Sequence, residues 1–220
     1  MGRKPRPFVP RSNRARTQFF QLEQVHGIRV LRLCSRDGTN RLTQACLLAL
    51  TDALEDLARD PKPLIVTGND RFFSAGAELR EIAALAGPSA YEFSRTGQKL
   101  MDAVSQFPYP VYAAISGYCM GGGLDLALAC HKRIASPHAV FGHRGAALGL
   151  ITGWGGTQRL PRLVGKARAL QLFVAAEKLH AAEALQAGLV DAIAQAPVLD
   201  AAAQLQRAGL RTPARLLYRK

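Results

Sequence analysis

The amino-acid sequence predicts a protein of the α/β class with one main folded unit. Short runs rich in β-branched and aromatic residues alternate along the chain with amphipathic, helix-forming stretches, and this alternation is typical of a sheet flanked by helices. The chain has 220 residues, of which 48% are hydrophobic, which is enough for one sizeable core. Neither a linker nor a break in composition divides residues 17–195, so we expect a single domain there.

In the first half of the chain, turn residues separate the elements. His26–Gly27 lies between two strand-like runs, Asp60–Pro61 ends an amphipathic helix, and Pro108 ends a longer one. The apolar positions of the first helix include Ala45, Leu48, Leu54 and Leu57. The sequence therefore predicts strands over 18–25, 28–34 and 63–67, a glycine-punctuated loop over 72–77, and helices over 43–59, 78–85 and 90–107.

The second half is organised around residues 111–125. Val111–Ile115 is a β-branched and aromatic run bounded by Pro110 and Gly117, which predicts a short buried strand. Gly121–Gly123 and an apolar helix-forming run over 124–129 follow. Beyond them the sequence predicts strands over 133–135 and 189–193, helices near 159–164, 167–175, 181–187 and 200–207, and a glycine-rich segment over 142–156 that contains the only tryptophan, Trp154.

The formal net charge of +13 is unevenly distributed. Residues 1–16 hold six basic residues, no acid and three prolines, which leaves +7 for the rest of the chain. Such a composition predicts a disordered basic arm. The arm is interpreted as a contact for nucleic acid or another polyanion, as a segment without a role, or as an organelle transit peptide, although its prolines oppose an amphipathic helix.

The cysteines and the hydropathy pattern narrow the class of protein. The four cysteines are widely spaced and form no C-x-x-C pair, so we expect free thiols in a reducing compartment rather than a disulfide framework. No apolar run approaches the ~20 residues that a membrane helix needs, and no signal-peptide core follows Met1. We therefore expect a cytoplasmic protein without a membrane partner, and no metal-ligand cluster is predicted.

Two glycine-containing turns are the main functional candidates. Residues 73–78 and Gly121–Asp125 each follow a strand and open a helix. Neither fits the P-loop or the dinucleotide-binding pattern, and glycine turns before helices are common punctuation. Two such turns can, however, each direct one backbone N–H at a single oxygen and stabilise a developing oxyanion, where loss of one donor costs roughly 3–4 kcal/mol.

Around these turns the sequence resembles the crotonases, that is, the enoyl-CoA hydratases and isomerases. Together the matching segments extend over about residues 17–195 in the family's order and spacing. The segments are Phe72–Ile82, Tyr109–Cys130, Phe141–Leu150, Gly155–Leu170 and Ala182–Asp191.

The resemblance implies a fold, a ligand and a set of positions. The fold is a spiral of ββα units with two roughly perpendicular sheets, and the assemblies are trimers or pairs of trimers. The ligand is an acyl-CoA thioester, with no separate cofactor. The family's oxyanion donors correspond to Ala77 and Gly122. Its substrate and CoA contacts correspond to Ala75, Ala77, Arg80, Gly121, Gly122 and Gly145.

The chain departs from the family at the acid–base residues. The first hydratase glutamate corresponds to Asp125, and the second to Gly145, which has no side chain. The other two acids of dienoyl-CoA isomerases correspond to Gly145 and Gly153. A water held between two carboxylates is therefore not expected. The C-terminal helical region is also expected to be shortened, with residues 196–220 forming a helical and basic tail.

For several residues the sequence leaves two interpretations open, one chemical and one structural. Asp125 is either a single general acid–base or a carboxylate that only stabilises a helix N-terminus. His143 either replaces the lost acid or is structural. Glu78 and His131 are interpreted as structural, and Trp154 either lines an acyl pocket or belongs to the core.

Three functions follow from these observations. The first is an enzyme acting on an acyl-CoA through its enolate, as an atypical hydratase, an isomerase or a decarboxylase. The second is a catalytically silent acyl-CoA-binding or scaffold protein. The third is a nucleic-acid binder that uses the basic arm.

Overall fold

A computed structural model describes residues 17–208. Its ten strands are β1 (Phe20–Val25), β2 (Ile28–Leu33), β3 (Leu64–Thr67), β4 (Phe72–Ser74), β5 (Val111–Ile115), β6 (Tyr118–Met120), β7 (Lys132–Ala135), β8 (Val140–Gly142), β9 (Leu179–His180) and β10 (Ala192–Ile193). The α-helices of the same residues are α1 (Gln44–Leu57), α2 (Leu79–Ala83), α3 (Gly87–Ser105), α4 (Gly122–Ala129), α5 (Gly156–Val164), α6 (Lys166–Val174), α7 (Ala181–Gln186) and α8 (Pro197–Arg207), and a 3₁₀ turn covers Gly145–Leu148.

The strands form two sheets. The larger has the order β1-β2-β3-β5-β7-β10, in which β1 and β2 form an antiparallel hairpin and all other pairs are parallel. Positive φ angles at His26 and Gly27 form the hairpin turn. The smaller sheet has the order β4-β6-β8-β9, in which β4, β6 and β8 are parallel.

The chain passes repeatedly from the large sheet to the small one and then into helix. β3 leads to β4 and then α2 and α3, β5 leads to β6 and α4, and β7 leads to β8 and then, further along, α5. The sequence has no internal repeat, so this spiral of ββα units is a repeat of structure alone. It is the crotonase-like architecture that the resemblance predicted.

Hydrophobic packing covers both faces of the large sheet. One cluster joins the helices and both sheets around side chains such as Leu47, Phe73 and Leu124. A second cluster lies where α8 packs on strand residues such as Val30, through Ala201 and Leu205. Residues 197–207 are thus packed on the sheet, and the predicted division of the chain at residue 195 stays a prediction.

Several sequence-based expectations need correction. Residues 72–77 were expected as loop, but 72–74 form β4, and β6, β8 and β9 were not predicted at all. These strands have two or three residues, too few to show a period. α3 begins at Gly87 and not at residue 90 as predicted, since Pro88 is favoured in a first helical turn.

The buried face of α1 also differs from the prediction. Leu54 is buried as expected, but Ala45 and Leu48 are exposed, and Cys46, Leu47 and Leu50 face the core instead. Apolar residues occupy most of one turn of this helix, so the sequence alone did not select the face. The predicted basic arm over 1–16 lies outside the described residues, and within them no helix is long and apolar enough to cross a membrane.

Candidate active site

The parallel strands of the small sheet bring three loops to one edge. β6 pairs with both β4 and β8, so the segments that follow these strands emerge side by side, which is where open α/β sheets bind ligands. A cavity of about 310 Å³ lies at this edge. Residues of all three loops line it, including Ala77, Gly122 and His143.

The first loop holds the Ala77 amide in a fixed orientation. The Gly76 carbonyl oxygen accepts a hydrogen bond from Leu42 N at 2.9 Å. The peptide bond is trans, so its N–H points away from its carbonyl. The Ala77 N–H is therefore directed to the side opposite Leu42, and Ala77 lines the cavity.

The second loop holds Gly122 in a comparable way. The Gly121 carbonyl accepts from Asp125 N at 3.0 Å, as the first bond of α4. The N–H groups of the first helical residues have no acceptor inside the helix. Gly122 is the first residue of α4, so its N–H lies at the positive end of the helix, and the residue lines the cavity.

Glycines bring the two turns into direct contact. A β-carbon at Gly76, where φ is +94°, would lie 2.7 Å from the Met120 carbonyl oxygen and 3.1 Å from Gly122 N. A β-carbon at Gly122 would overlap the Trp154 ring. Both positions therefore exclude larger residues on steric grounds, and the two backbone donors lie on neighbouring segments of one wall.

Asp125 is buried beside these donors. Its side chain is 1% exposed, and it accepts a hydrogen bond from the Thr152 hydroxyl through Oδ2. Burial raises the pKa of this carboxyl from 3.8 to about 7, although Thr152, the Arg159 charge and the Gly156 backbone act to lower it. A carboxyl with this pKa can both accept and donate a proton near neutral pH.

His143 faces the same carboxylate. Its Nε2 lies 3.3 Å from Asp125 Oδ1, a close contact that does not have hydrogen-bond geometry, and within residues 17–208 neither atom has a hydrogen-bond partner. The ring packs on Phe173 at 5.1 Å between centroids, and burial lowers the pKa of the imidazole to about 4. The pair can therefore share one proton, with histidine neutral at pH 7.

Position 145 has little room for any side chain. Gly145 opens the 3₁₀ turn, and its carbonyl accepts from Leu150 N at 2.9 Å. A β-carbon there would lie 2.8 Å from the Leu150 carbonyl oxygen. The loop is thus folded back on position 145, which the family resemblance aligns with the second hydratase acid, and a side chain there would meet the Leu150 backbone.

Trp154 forms one wall of the cavity and is also part of the core. It is 4% exposed and packs on Phe93 of α3 at 5.4 Å between ring centroids. Its indole rests against Gly97, where a β-carbon would overlap the ring. Leu79 and Ile82 line the cavity as well, so much of its surface suits an apolar chain.

The structure gathers most of the predicted site residues. Arg80 is exposed and does not line the cavity, whereas the following residues do: Ala75, Ala77, Gly121, Gly122, Asp125, His143, Gly145 and Trp154. Glu78 caps α2 by accepting from Arg80 N, and His131 Nδ1 accepts from Val111 N. These contacts are the kind that the structural interpretations of Glu78 and His131 predict, and those interpretations stay predictions.

Sequence reasoning missed Thr152, Gly156 and Gly97. Thr152 bonds Asp125, and Gly156 lies so close to both Asp125 and His143 that a β-carbon would crowd them. No spacing in the sequence indicates these contacts. No group of three or more histidine, cysteine or acidic side chains in the part of the chain that the structure describes is placed to hold a metal ion.

Known proteins match this chain over most of its length. The enoyl-CoA hydratase/isomerase family profile matches residues 23–217. A probable enoyl-CoA hydratase of Bacillus subtilis (strain 168) is 44% identical over 154 residues, which are 69% of this chain and 60% of that protein. A crotonyl-CoA hydratase of Syntrophomonas wolfei subsp. wolfei is 40% identical over 177 residues, 79% of this chain and 68% of that protein. The chain thus spans 60–68% of these two relatives.

Solved structures share the fold. Pseudomonas aeruginosa DspI superimposes with a TM-score of 0.82 and 34% identity, over 91% of this chain and 84% of that one. An enoyl-CoA hydratase from Thermoplasma volcanium GSS1 gives a TM-score of 0.83 and 30% identity, over 91% and 81%. The two sheets and these neighbours define an α/β protein of the crotonase fold. The chain belongs to the enoyl-CoA hydratase/isomerase family.

Proposed function

We propose that this chain is an enzyme that binds an acyl-CoA thioester and stabilises its enolate. The Ala77 and Gly122 N–H groups bind the thioester carbonyl oxygen, on which negative charge grows when a proton leaves the neighbouring carbon. Preorganised donors at a helix N-terminus act mainly on that developing charge. The observation that carries the proposal is the buried Asp125 carboxyl in the same cavity as both amides.

Asp125 is the proton-transfer group in this proposal. Its carboxylate takes a proton from a carbon of the acyl chain, the electron pair moves into the enolate, and the carboxylic acid returns the proton to a carbon. When the proton returns to a different carbon, the net reaction is movement of the double bond, and it consumes no water. The pKa of about 7 makes both half-steps accessible near neutral pH.

The closed loop at Gly145 favours an isomerase over a hydratase. Hydration needs a water that is held and deprotonated next to the double bond. The resemblance assigns the second carboxylate for that task to position 145, where this chain has glycine and little space for a side chain. His143 is the other group that can exchange a proton with Asp125. The relatives named above are hydratases by name. An acyl-CoA panel must therefore include substrates for hydration as well as for double-bond isomerisation.

CoA enters this proposal as part of the substrate, and none of the proposed steps needs a further cofactor. Arg80 follows the cavity residue Leu79 on the outer side of the site, where its guanidinium suits a CoA phosphate. Trimers or pairs of trimers, as the family resemblance implies, are the proposed assemblies. Leu170 and Val174 of α6 are 63% and 69% exposed, as expected of a surface that a second copy covers.

The proposal is tested with a panel of saturated, 2-enoyl, 3-enoyl and carboxylated acyl-CoA esters. Asp125→Asn keeps the shape of the side chain and removes the proton acceptor, so we expect at least a hundredfold loss of turnover with binding retained. Asp52→Asn is the matched control, because Asp52 is exposed on α1 away from the cavity. Turnover that survives in Asp125→Asn would exclude Asp125 as the proton-transfer group.

A catalytically silent acyl-CoA-binding protein is the second candidate. The replacement of the second acid by Gly145 favours it. Acyl-CoA binding by the wild type without turnover of any panel member would support this candidate and contradict the enzyme.

A further inference from the structure

The Ala77 turn is held by a neighbouring segment that does not line the cavity. Residues 39–42 lie between β2 and α1 and form three hydrogen bonds with residues 74–76. These bonds run from Ala75 N to the Thr39 carbonyl (2.9 Å), from Ser74 Oγ to the Asn40 carbonyl (2.7 Å) and from Leu42 N to the Gly76 carbonyl (2.9 Å).

Asn40 is the centre of this segment. It is 3% exposed and has a φ of +52°, in the left-handed region that asparagine tolerates better than most residues. Its Nδ2 donates to the carbonyls of Phe72 at 2.9 Å and Phe73 at 3.2 Å. Both donors of the amide are therefore used on β4, the strand that leads into the turn.

Ser74 connects Asn40 to both turns of the site. Its buried hydroxyl donates to the Asn40 carbonyl and accepts from Gly76 N at 3.1 Å. Its side chain also rests against the first turn of α4, since a β-carbon at Gly123 would lie 2.6 Å from Ser74 Cβ. One side chain thus touches the segment before Ala77 and the segment after Gly122.

We propose that Asn40 and Ser74 are positioning residues, which set the orientation of the Ala77 N–H and its separation from the Gly122 N–H. This inference rests on the proposed function, in which the two amides bind the thioester oxygen. Donors of this kind are effective only when they are held in place before the charge develops. A turn released from Ser74 and Asn40 still admits the substrate but presents its N–H less accurately.

The first test is Ser74→Ala, which removes the hydroxyl and leaves the cavity lining unchanged. We expect kcat to fall by roughly tenfold to a hundredfold, less than for complete loss of an oxyanion donor, with KM changed less than threefold. Ser136→Ala is the matched control, since this buried serine lies outside the cavity and its hydroxyl has no hydrogen-bond partner among residues 17–208. The control should retain wild-type kinetics.

A spectroscopic measurement separates positioning from general loosening. A conjugated aryl-enoyl-CoA absorbs at longer wavelength when its carbonyl oxygen is polarised by hydrogen bonds. We expect a red shift on binding to the wild type and to Ser136→Ala, and a smaller shift with Ser74→Ala at saturating protein.

Asn40→Gly is the second variant and decides the question if Ser74→Ala does not fold. Glycine accepts the positive φ without strain, so the backbone contacts are kept while the amide donors are lost. It should show the same fall in kcat and the same reduced shift. Full kcat and a full shift in the folded variants would overturn the positioning role. No shift and no turnover in the wild type would instead contradict the proposed function.

Discussion

Asp125 combines burial with ionisation, and its titration should govern activity. The carboxylate is the form that accepts a proton, and burial places its pKa at about 7. We therefore expect kcat/KM to fall as pH decreases through about 7, not near 4 as for an exposed carboxyl. Thr152→Val removes a hydrogen bond that lowers this pKa, so the acid limb should move to higher pH. A pH–rate profile measures both; an unchanged limb in Thr152→Val would contradict the assignment of that limb to Asp125.

The same burial should make Asp125 costly for stability. Its pKa is 3.8 ordinarily and about 7 in the folded protein, so folding favours the protonated form. The folded protein is therefore most stable, with respect to this group, below pH 3.8, where Asp125 is protonated in both states. This contribution to the free energy of unfolding is lost as pH rises from 3.8 through 7. At pH 8 the free energy of unfolding of Asp125→Asn should therefore exceed that of wild type by up to about 4 kcal/mol, and at pH 5 by much less. Denaturant unfolding at the two pH values measures the difference. An equal difference at both pH values would contradict the raised pKa.

At this scale the sequence predicted part of the site. Ala77, Gly122 and Asp125 could be named as candidates because they belong to two local turns that the family resemblance covers. Thr152 and Gly156 could not, since they lie 27 and 31 residues beyond Asp125 and reach it only when the loop 142–156 folds over the cavity. The missing space at Gly145 also depends on that loop, because Leu150 fills it.

At the scale of elements, α3 packs against Trp154 of the segment 142–156 at one glycine, Gly97. Gly97→Ala places a methyl group into the indole, and the strain of overpacking should destabilise the protein by about 1–3 kcal/mol and weaken acyl-CoA binding. Gly87→Ala is the control on the same helix, since nothing lies within 4 Å of its added β-carbon. Chemical denaturation of both variants measures the difference.

The stability of the control variant defines which result would contradict this prediction. Alanine raises helix propensity at both positions by up to ~1 kcal/mol, so Gly87→Ala should be neutral or more stable than wild type. If Gly97→Ala behaves in the same way, the indole is not held against α3 as described. The sequence could not indicate this fit, because Gly97 and Trp154 lie in different predicted elements.

At the scale of the molecule, the two-sheet arrangement explains why distant segments form one site. The four- to six-residue strands were predictable from composition, but β4, β6 and β8 are too short to show a pattern. Their parallel pairing places Ala77, Gly122 and His143 at one edge. The family resemblance predicted the spiral, whereas periodicity alone predicted only an α/β protein.

The cavity also contains an internal reporter of binding. Trp154 is the only tryptophan of the chain, and it lies against Gly122 and lines the cavity. Tryptophan emission depends on the polarity around the indole, so an acyl group that enters should change its intensity or wavelength. We expect a saturable change with acyl-CoA and little change with free CoA, because in the proposed function the acyl group is the part of the substrate that contacts Trp154.

This signal separates binding from chemistry in a way that turnover does not. Asp125→Asn should keep the fluorescence response and lose turnover if Asp125 transfers protons, because the substitution keeps the shape of the side chain and leaves Trp154 in the cavity wall. Trp154→Phe should abolish the emission and identify its source. A wild-type protein that turns over an acyl-CoA with no fluorescence change at saturating substrate would show that the acyl group does not reach Trp154, and the cavity would not be the acyl site.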